Sequence, residues 1–140
     1  MPVRTANAQW EGSLEDGKGT MRMSAWEGPY SSSSRFQDGA GTNPEELIAA
    51  AHAGCYSMAL AGGLSKAGHV PDSVRTTAKV HIDKVEAGFK ITRIELDTEA
   101  RVSGLDEGTF QEIAEATKKG CPVSQALEAV PIELNAKLVA

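Results

Sequence analysis

The stretch from Asn43 to Leu60, NPEELIAAAHAGCYSMAL, constrains the fold more than any other part of the chain. Asn43 is a good N-cap, and Pro44 at the first helical position has no N–H to leave unpaired. Glu46, three residues after Asn43, is placed to close a capping box on the Asn43 backbone N–H. Two acids in the first turn also suit the positive end of the helix dipole. From Leu47 to Ser65 there is then no Asp, Glu, Lys or Arg. A helix made of small apolar residues with no wide polar stripe is a central one, with other elements or another subunit against several of its sides. Gly62, Gly63 and Gly68 read as its fraying and stop. Cys55, one of only two cysteines in the chain, sits in its middle.

Length and charge narrow what surrounds this helix. A chain of 140 residues makes a single domain, 1–140, with a real core. A net charge of -5, from 19 acids against 14 bases, argues against a nucleic-acid partner, which selects for a basic patch. No apolar run reads as long and greasy enough to span a bilayer, so no membrane partner is expected. The segment MPVRTANAQWEG lacks the apolar core of a signal peptide. The expected location is therefore cytoplasmic. There, two cysteines serve as reduced, catalytic or redox-sensing thiols more readily than as a structural staple.

The rest of the chain reads as strands and short helices. Residues 1–36 are strand-like, with Ala8-Gln9-Trp10, a turn-rich EGSLEDGKGT, and an alternating Thr20-Met21-Arg22-Met23. Trp26 to Ser34 reads as a loop, its serine run as a flexible linker, so Arg35 is expected on an irregular segment. Thr76 to Val85 and Phe89 to Leu96 alternate apolar and polar residues around a Glu86-Ala87-Gly88 turn, which predicts an antiparallel hairpin with one wet face. Asp106 to Lys119 has helical spacing and Gly120 as its stop. Cys121-Pro122 opens a second short helix, VSQALEA, and Pro131 to Val139 is a closing strand. The predicted class is α+β: antiparallel strands with helices packed on one face.

A cysteine does chemistry as the thiolate. Cys55, in mid-helix, gains little from the helix dipole and must borrow a cation; Arg35, Arg22, Lys66 and the histidines are the candidates. Cys121, preceding Pro122, is a natural N-cap, where free N–H groups lower a thiol pKa. The bland alternative is two unrelated buried cysteines acting as small hydrophobes. Glu45 lies about 80° around the helix from Cys55 and Glu46 roughly opposite it. Glu46 thus suits capping, and Glu45 is the acid able to face the cysteine's side; both could equally serve only the helix N-terminus. His52, three residues before Cys55, is a possible base for it or a satisfied core histidine. No Cys/His or His/carboxylate spacing suggests a metal, and no phosphate loop or GxSxG elbow is present.

The helix NPEELIAAAHAGCYSMAL, the later GCPVSQAL, the early QWEG, GKGT and SRF, and the hairpin KVHIDKVEAGFKITRIEL together resemble the osmotically inducible protein C (OsmC) family. The resemblance runs in order over nearly the whole chain and is nearer to the OsmC branch than to the organic hydroperoxide resistance (Ohr) branch. It implies an OsmC-like fold, an antiparallel β-sheet with a long central helix in an intertwined homodimer. It also implies two active sites at the subunit interface. The implied activity is a cysteine-based peroxidase, acting on organic hydroperoxides above all and needing no cofactor. Its electrons come from a thiol, with lipoyl-type dithiols as candidates. By matching position, Cys55 is the peroxidatic cysteine, Cys121 the resolving cysteine, Glu45 the active-site carboxylate and Arg35 the active-site arginine. Two other classes share these residues: a redox sensor using the same disulfide as a switch, and a purely structural dimer.

Overall fold

The computed structural model describes residues 1–140. The chain forms two compact units, Met1–Leu47 and Ile48–Ala140.

The first unit is a three-stranded antiparallel meander, β1 (Asn7–Glu11), β2 (Lys18–Arg22) and β3 (Glu27–Tyr30), followed by a short helix α1 (Ser32–Phe36). Trp10 on β1 and Tyr30 on β3 meet across the sheet with ring centroids 5.4 Å apart. Gly19 on β2 is what lets them meet: a Cβ there would lie 2.4 Å from the Tyr30 ring and 2.7 Å from Trp10. Two expectations fail here. The segment after Trp26 is a strand rather than a loop, and the serine run is not a linker. Ser31 caps α1, with Ser34 N–H donating to Ser31 Oγ and Ser31 N–H donating to Ser34 Oγ. The buried Ser34 hydroxyl reaches on to the Thr42 carbonyl at 2.7 Å, and Asn43 Nδ2 donates to the Ser34 carbonyl. Hydroxyls that would solvate a linker here satisfy backbone groups instead.

The central helix α2 (Pro44–Lys66) begins in this unit, and Asn43 caps it as expected, accepting from Glu46 N–H at 2.7 Å. The reciprocal half of the capping box is absent. The Glu46 carboxylate takes the Thr42 hydroxyl at 2.7 Å rather than the Asn43 N–H.

The second unit holds the remainder of α2, the hairpin β4 (Ser73–Val85) and β5 (Gly88–Arg101), then α3 (Glu107–Gly120), α4 (Pro122–Ala126) and β6 (Ile132–Val139). The hairpin is as predicted but longer at its outer ends. Ile94, Leu96, Thr98 and Ala100 alternate into the core, with Glu95, Asp97 and Glu99 between them. The closing strand departs from expectation: β6 pairs with β5 in parallel, Ile94 opposite Ile132. Parallel pairing needs a crossover between the strands, and α3 with α4 provides it.

Along α2, His52, Tyr56, Leu60 and Leu64 recur every fourth residue and are fully buried. Tyr56, Leu60 and Leu64 join Phe110 and Ala114 of α3, Ile94, Leu96 and Ala100 of β5, and Cys121. The Tyr56 hydroxyl donates to the Ala114 carbonyl at 2.9 Å. Gly62 and Gly63 do not end the helix. A Cβ at Gly63 would sit 3.2 Å from Ile113, so this glycine admits α3 instead. The stop is Gly68, whose φ of +89° favours glycine. The opposite face of α2 is not covered within the chain: Ala50, Ala51, Gly54, Met58 and Gly62 are exposed, Met58 to 76%. By length and composition alone, α2 is apolar enough to cross a membrane, contrary to the sequence reading. The two opening acids do not prevent this, because 47–65 carries no Asp, Glu, Lys or Arg.

Candidate active site

Two elements bring the cysteines together. Cys55 lies one residue before the buried Tyr56, so the packing of Tyr56 fixes its height on α2. Cys121 is both the last cap of α3, its N–H donating to Thr117 at 2.8 Å, and the N-cap of α4, with Pro122 at N1. The backbone leaves the helical conformation there, at φ -60° and ψ 123°, and the Cys121 thiol meets that of Cys55, Sγ to Sγ 3.0 Å. Both cysteines are free thiols; Cys121 is fully buried and Cys55 partly exposed.

Their environments pull in opposite directions. Burial pushes the Cys55 thiol up, as does its hydrogen bond with Cys121, and the Val123 N–H pulls it partly back. Burial opposes ionisation of Cys121 too, but there it is outweighed. The hydrogen bond with Cys55, the N–H and hydroxyl of Ser124 and the Val123 N–H hold Cys121 below the usual thiol value. Cys121 is an N-cap as expected, but its thiol closes no side-chain cap hydrogen bond, and the first cause of its lowering is the hydrogen bond with Cys55. No cation is among the groups acting on Cys55.

Arg35 and Glu45 meet in the first unit. The guanidinium donates twice, Nε to Oε1 and Nη2 to Oε2, both at 2.9 Å. This is the bidentate fork that a carboxylate matches best. Glu45 is 7% exposed in its side chain and Arg35 37%. The hydrogen bond to Glu45 raises the Arg35 pKa above its ordinary value. The guanidinium carbon also lies 5.2 Å from the centre of the Phe36 ring. Arg35 is thus on a helical turn rather than the irregular segment expected, because the Ser31 cap winds the chain there. It borders a depression of about 410 Å³ walled by Trp10, Leu14, Tyr30 and Phe36.

Three of the other candidates, Arg22, His81 and His52, are engaged elsewhere. Arg22 pairs with Glu27 at 2.8 Å, both exposed. Lys66 is exposed in the last turn of α2, and His81 pairs with Glu95 on the hairpin. His52 does not face Cys55; its Nε2 is 2.7 Å from the hydroxyl of Ser124. Ser124 was not singled out from the sequence, because a contact across 72 residues leaves no local signal. No cluster of three or more His, Cys, Asp or Glu side chains could hold a metal.

A family model described as OsmC-like protein matches residues 37–135. The chain belongs to the OsmC family. That match takes in Glu45, Cys55 and Cys121, and Arg35 lies just before it. The chain is 50% identical over 129 residues to the Peroxiredoxin OsmC of Escherichia coli K12, covering 90% of each chain. It is 32% identical over 89 residues to an Organic hydroperoxide resistance protein of Xanthomonas axonopodis, covering 63% of this chain and 61% of that one. The identities fall on the OsmC side of the superfamily, as the sequence motifs suggest. The fold matches the crystal structure of an OsmC-like protein from Mycoplasma pneumoniae with a TM-score of 0.79 at 15% identity, over 99% of each chain.

Proposed function

We propose that the chain is a thiol-dependent peroxidase that reduces organic hydroperoxides, and hydrogen peroxide less well, through a Cys55 sulfenic acid resolved by Cys121. The observation that carries this reading is the pair of free thiols 3.0 Å apart, Cys55 on α2 and Cys121 between α3 and α4. Disulfide closure from there needs only a small approach of the sulfurs. The relationship to a protein named a peroxiredoxin supports the same reading.

In the proposed cycle the Cys55 thiolate attacks the peroxide oxygen remote from the alkyl group. The O–O bond breaks, the alkoxide leaves and takes a proton as alcohol, and the sulfur becomes a sulfenic acid. The Cys121 thiolate then attacks that sulfur: an S–S bond forms, the S–O bond breaks, and the hydroxide leaves as water. A dithiol, with the lipoyl type as a candidate, restores both thiols by exchange. Arg35 is assigned the stabilisation of the Cys55 thiolate and of the charge developing on the departing oxygen. Glu45 is assigned the orientation of the guanidinium fork. Since Cys55 has no cation of its own and burial raises its thiol, this reading requires one to be supplied. The apolar walls beside Arg35 favour a substrate with an alkyl or aryl group. Assembly is proposed to be a homodimer with the active sites at its interface, which the bare apolar face of α2 supports.

The stabilised thiolate at Cys121 favours a second reading, with the two roles exchanged. Its complete burial weighs against this, because the attacking sulfur must meet substrate, and Cys55 is the accessible one. Steady-state reduction of an organic hydroperoxide against hydrogen peroxide, with a dithiol as reductant, tests the proposal. The expected result is many turnovers, faster with the organic substrate, and none in Cys55→Ser. Cys121→Ser should complete the first oxidation and then accumulate oxygens on Cys55, seen by intact mass. One equivalent consumed and then a halt would indicate a redox sensor. Full activity in Cys55→Ser would exchange the roles.

A further inference from the structure

The cycle above leaves a buried histidine without a task. His52 is fully buried on α2, one turn before Cys55, and its Nδ1 has no hydrogen-bond partner. Its Nε2 lies 2.7 Å from the hydroxyl of Ser124, itself buried, on the first turn of α4. That turn is the one capped by Cys121.

The direction of this hydrogen bond follows from the unpaired nitrogen. Burial lowers the His52 pKa, so the imidazole is neutral and carries one N–H. With the proton on Nδ1, a buried donor would have no acceptor at all, and buried orphan N–H groups are the rarer defect. With the proton on Nε2, the N–H is used and only a lone pair goes unmet. Nε2–H therefore donates to Ser124 Oγ. The Ser124 hydroxyl then has its own proton free for a different acceptor. Ser124 stands three residues after Cys121, on the turn that Cys121 caps without a side-chain cap hydrogen bond, and its hydroxyl is among the groups that lower the Cys121 thiol. The Cys121 sulfur is thus an acceptor toward which that proton can turn.

We infer that His52 and Ser124 are positioning residues for the resolving step: His52 Nε2–H fixes Ser124, whose hydroxyl proton is directed to the Cys121 sulfur, and the same bond pins the start of α4 to α2 beside Cys55. This rests on the peroxidase reading, and it concerns the second step alone. When the Cys121 thiolate attacks the Cys55 sulfenic acid, the S–S bond forms and hydroxide departs as water. The relay keeps the attacking sulfur ionised and aimed until then. In the reverse sense it steadies Cys121 as the leaving thiolate when an external thiol attacks the Cys55 sulfur. A hydroxyl held from behind does this without adding a charge to the core.

Two measurements test the inference. The first uses the unaltered protein: long-range proton–nitrogen NMR reads the His52 tautomer. The expected state is neutral with the proton on Nε2; a proton on Nδ1 overturns the relay. The second follows one hydroperoxide equivalent by rapid quench and mass spectrometry, timing disulfide closure against the first oxidation in the same run. Ser124→Ala should slow closure relative to oxidation by about tenfold to a hundredfold, the factor for losing one hydrogen bond to a charged group. In a Cys55→Ser background, the same change should raise the Cys121 thiol pKa, which a purely structural role would not move. Undiminished closure in Ser124→Ala overturns this inference alone. Absence of a Cys55–Cys121 disulfide in the unaltered protein overturns the peroxidase reading and the inference with it.

Discussion

Replacing Glu45 by Gln removes one arm of the fork that holds Arg35, and the structure sets the size of the effect. Two charge-assisted hydrogen bonds of 2.9 Å join the pair. Gln keeps one acceptor oxygen, but its amide NH₂ then faces a guanidinium N–H, so one bond is lost and a donor opposes a donor. A hydrogen bond to a charged group contributes about 1.5–3 kcal/mol. The Coulomb attraction at ~4 Å and an effective dielectric near 20 is about 4 kcal/mol as an upper bound. Arg35 is 37% exposed, so water screens much of it, and neutralising the buried Glu45 relieves some desolvation. The expected net loss is about 2 kcal/mol. In a double-mutant cycle with Arg35→Met, the two changes together should cost about 1–2 kcal/mol less than their sum. Urea unfolding followed by tryptophan fluorescence is the assay, since the only tryptophans, Trp10 and Trp26, report on the same unit. A coupling below about 0.5 kcal/mol would mean that the two side chains act independently and that Glu45 does not orient the guanidinium. The functional arm is the pH dependence of Cys55 alkylation. Under the proposed assignment of Arg35 to Cys55, Arg35→Ala should raise the Cys55 pKa and Glu45→Gln should raise it less, because the cation remains but loses its aim.

Tyr56→Phe should cost about 1 kcal/mol, the net value of the hydroxyl bond to the Ala114 carbonyl, and lower Tm by about 3–5 °C. Burial also raises the Tyr56 pKa. The folded protein should therefore lose stability as pH rises above about 10, where the unfolded tyrosine ionises, and the Phe variant should lack that decline. Burial depresses the His52 pKa, so its contribution is present above about pH 6.5 and is lost as pH falls, because only the unfolded chain takes up the proton. His52→Gln should flatten the drop in urea midpoint between pH 7 and 5; an unchanged slope would show that His52 is protonated in the fold.

The local elements were legible because each rests on short-range rules. Asn43-Pro44 starts α2, the alternation of Thr76–Leu96 makes the hairpin, and Gly120-Cys121-Pro122 divides α3 from α4. What misled was local chemistry with more than one outlet. Glu46 took the Thr42 hydroxyl rather than the Asn43 N–H. The serines found backbone groups to satisfy, and Gly63 was a contact for Ile113 rather than a stop. The parallel pairing of β6 was not readable, because strand direction depends on how α3 and α4 carry the chain back.

The sequence by itself determined that Cys121 would cap a helix, since cap spacing is a property of neighbouring residues; it offered Arg35 and Glu45 only as separate candidates. Only the tertiary structure decided which groups meet. It set Cys121 against Cys55 across 66 residues of chain, and it turned His52 away from Cys55 to Ser124. Contacts at that separation are fixed by how Tyr56, Leu60 and Leu64 seat α2 against Phe110 and Ala114, and no periodicity along the chain encodes that seating.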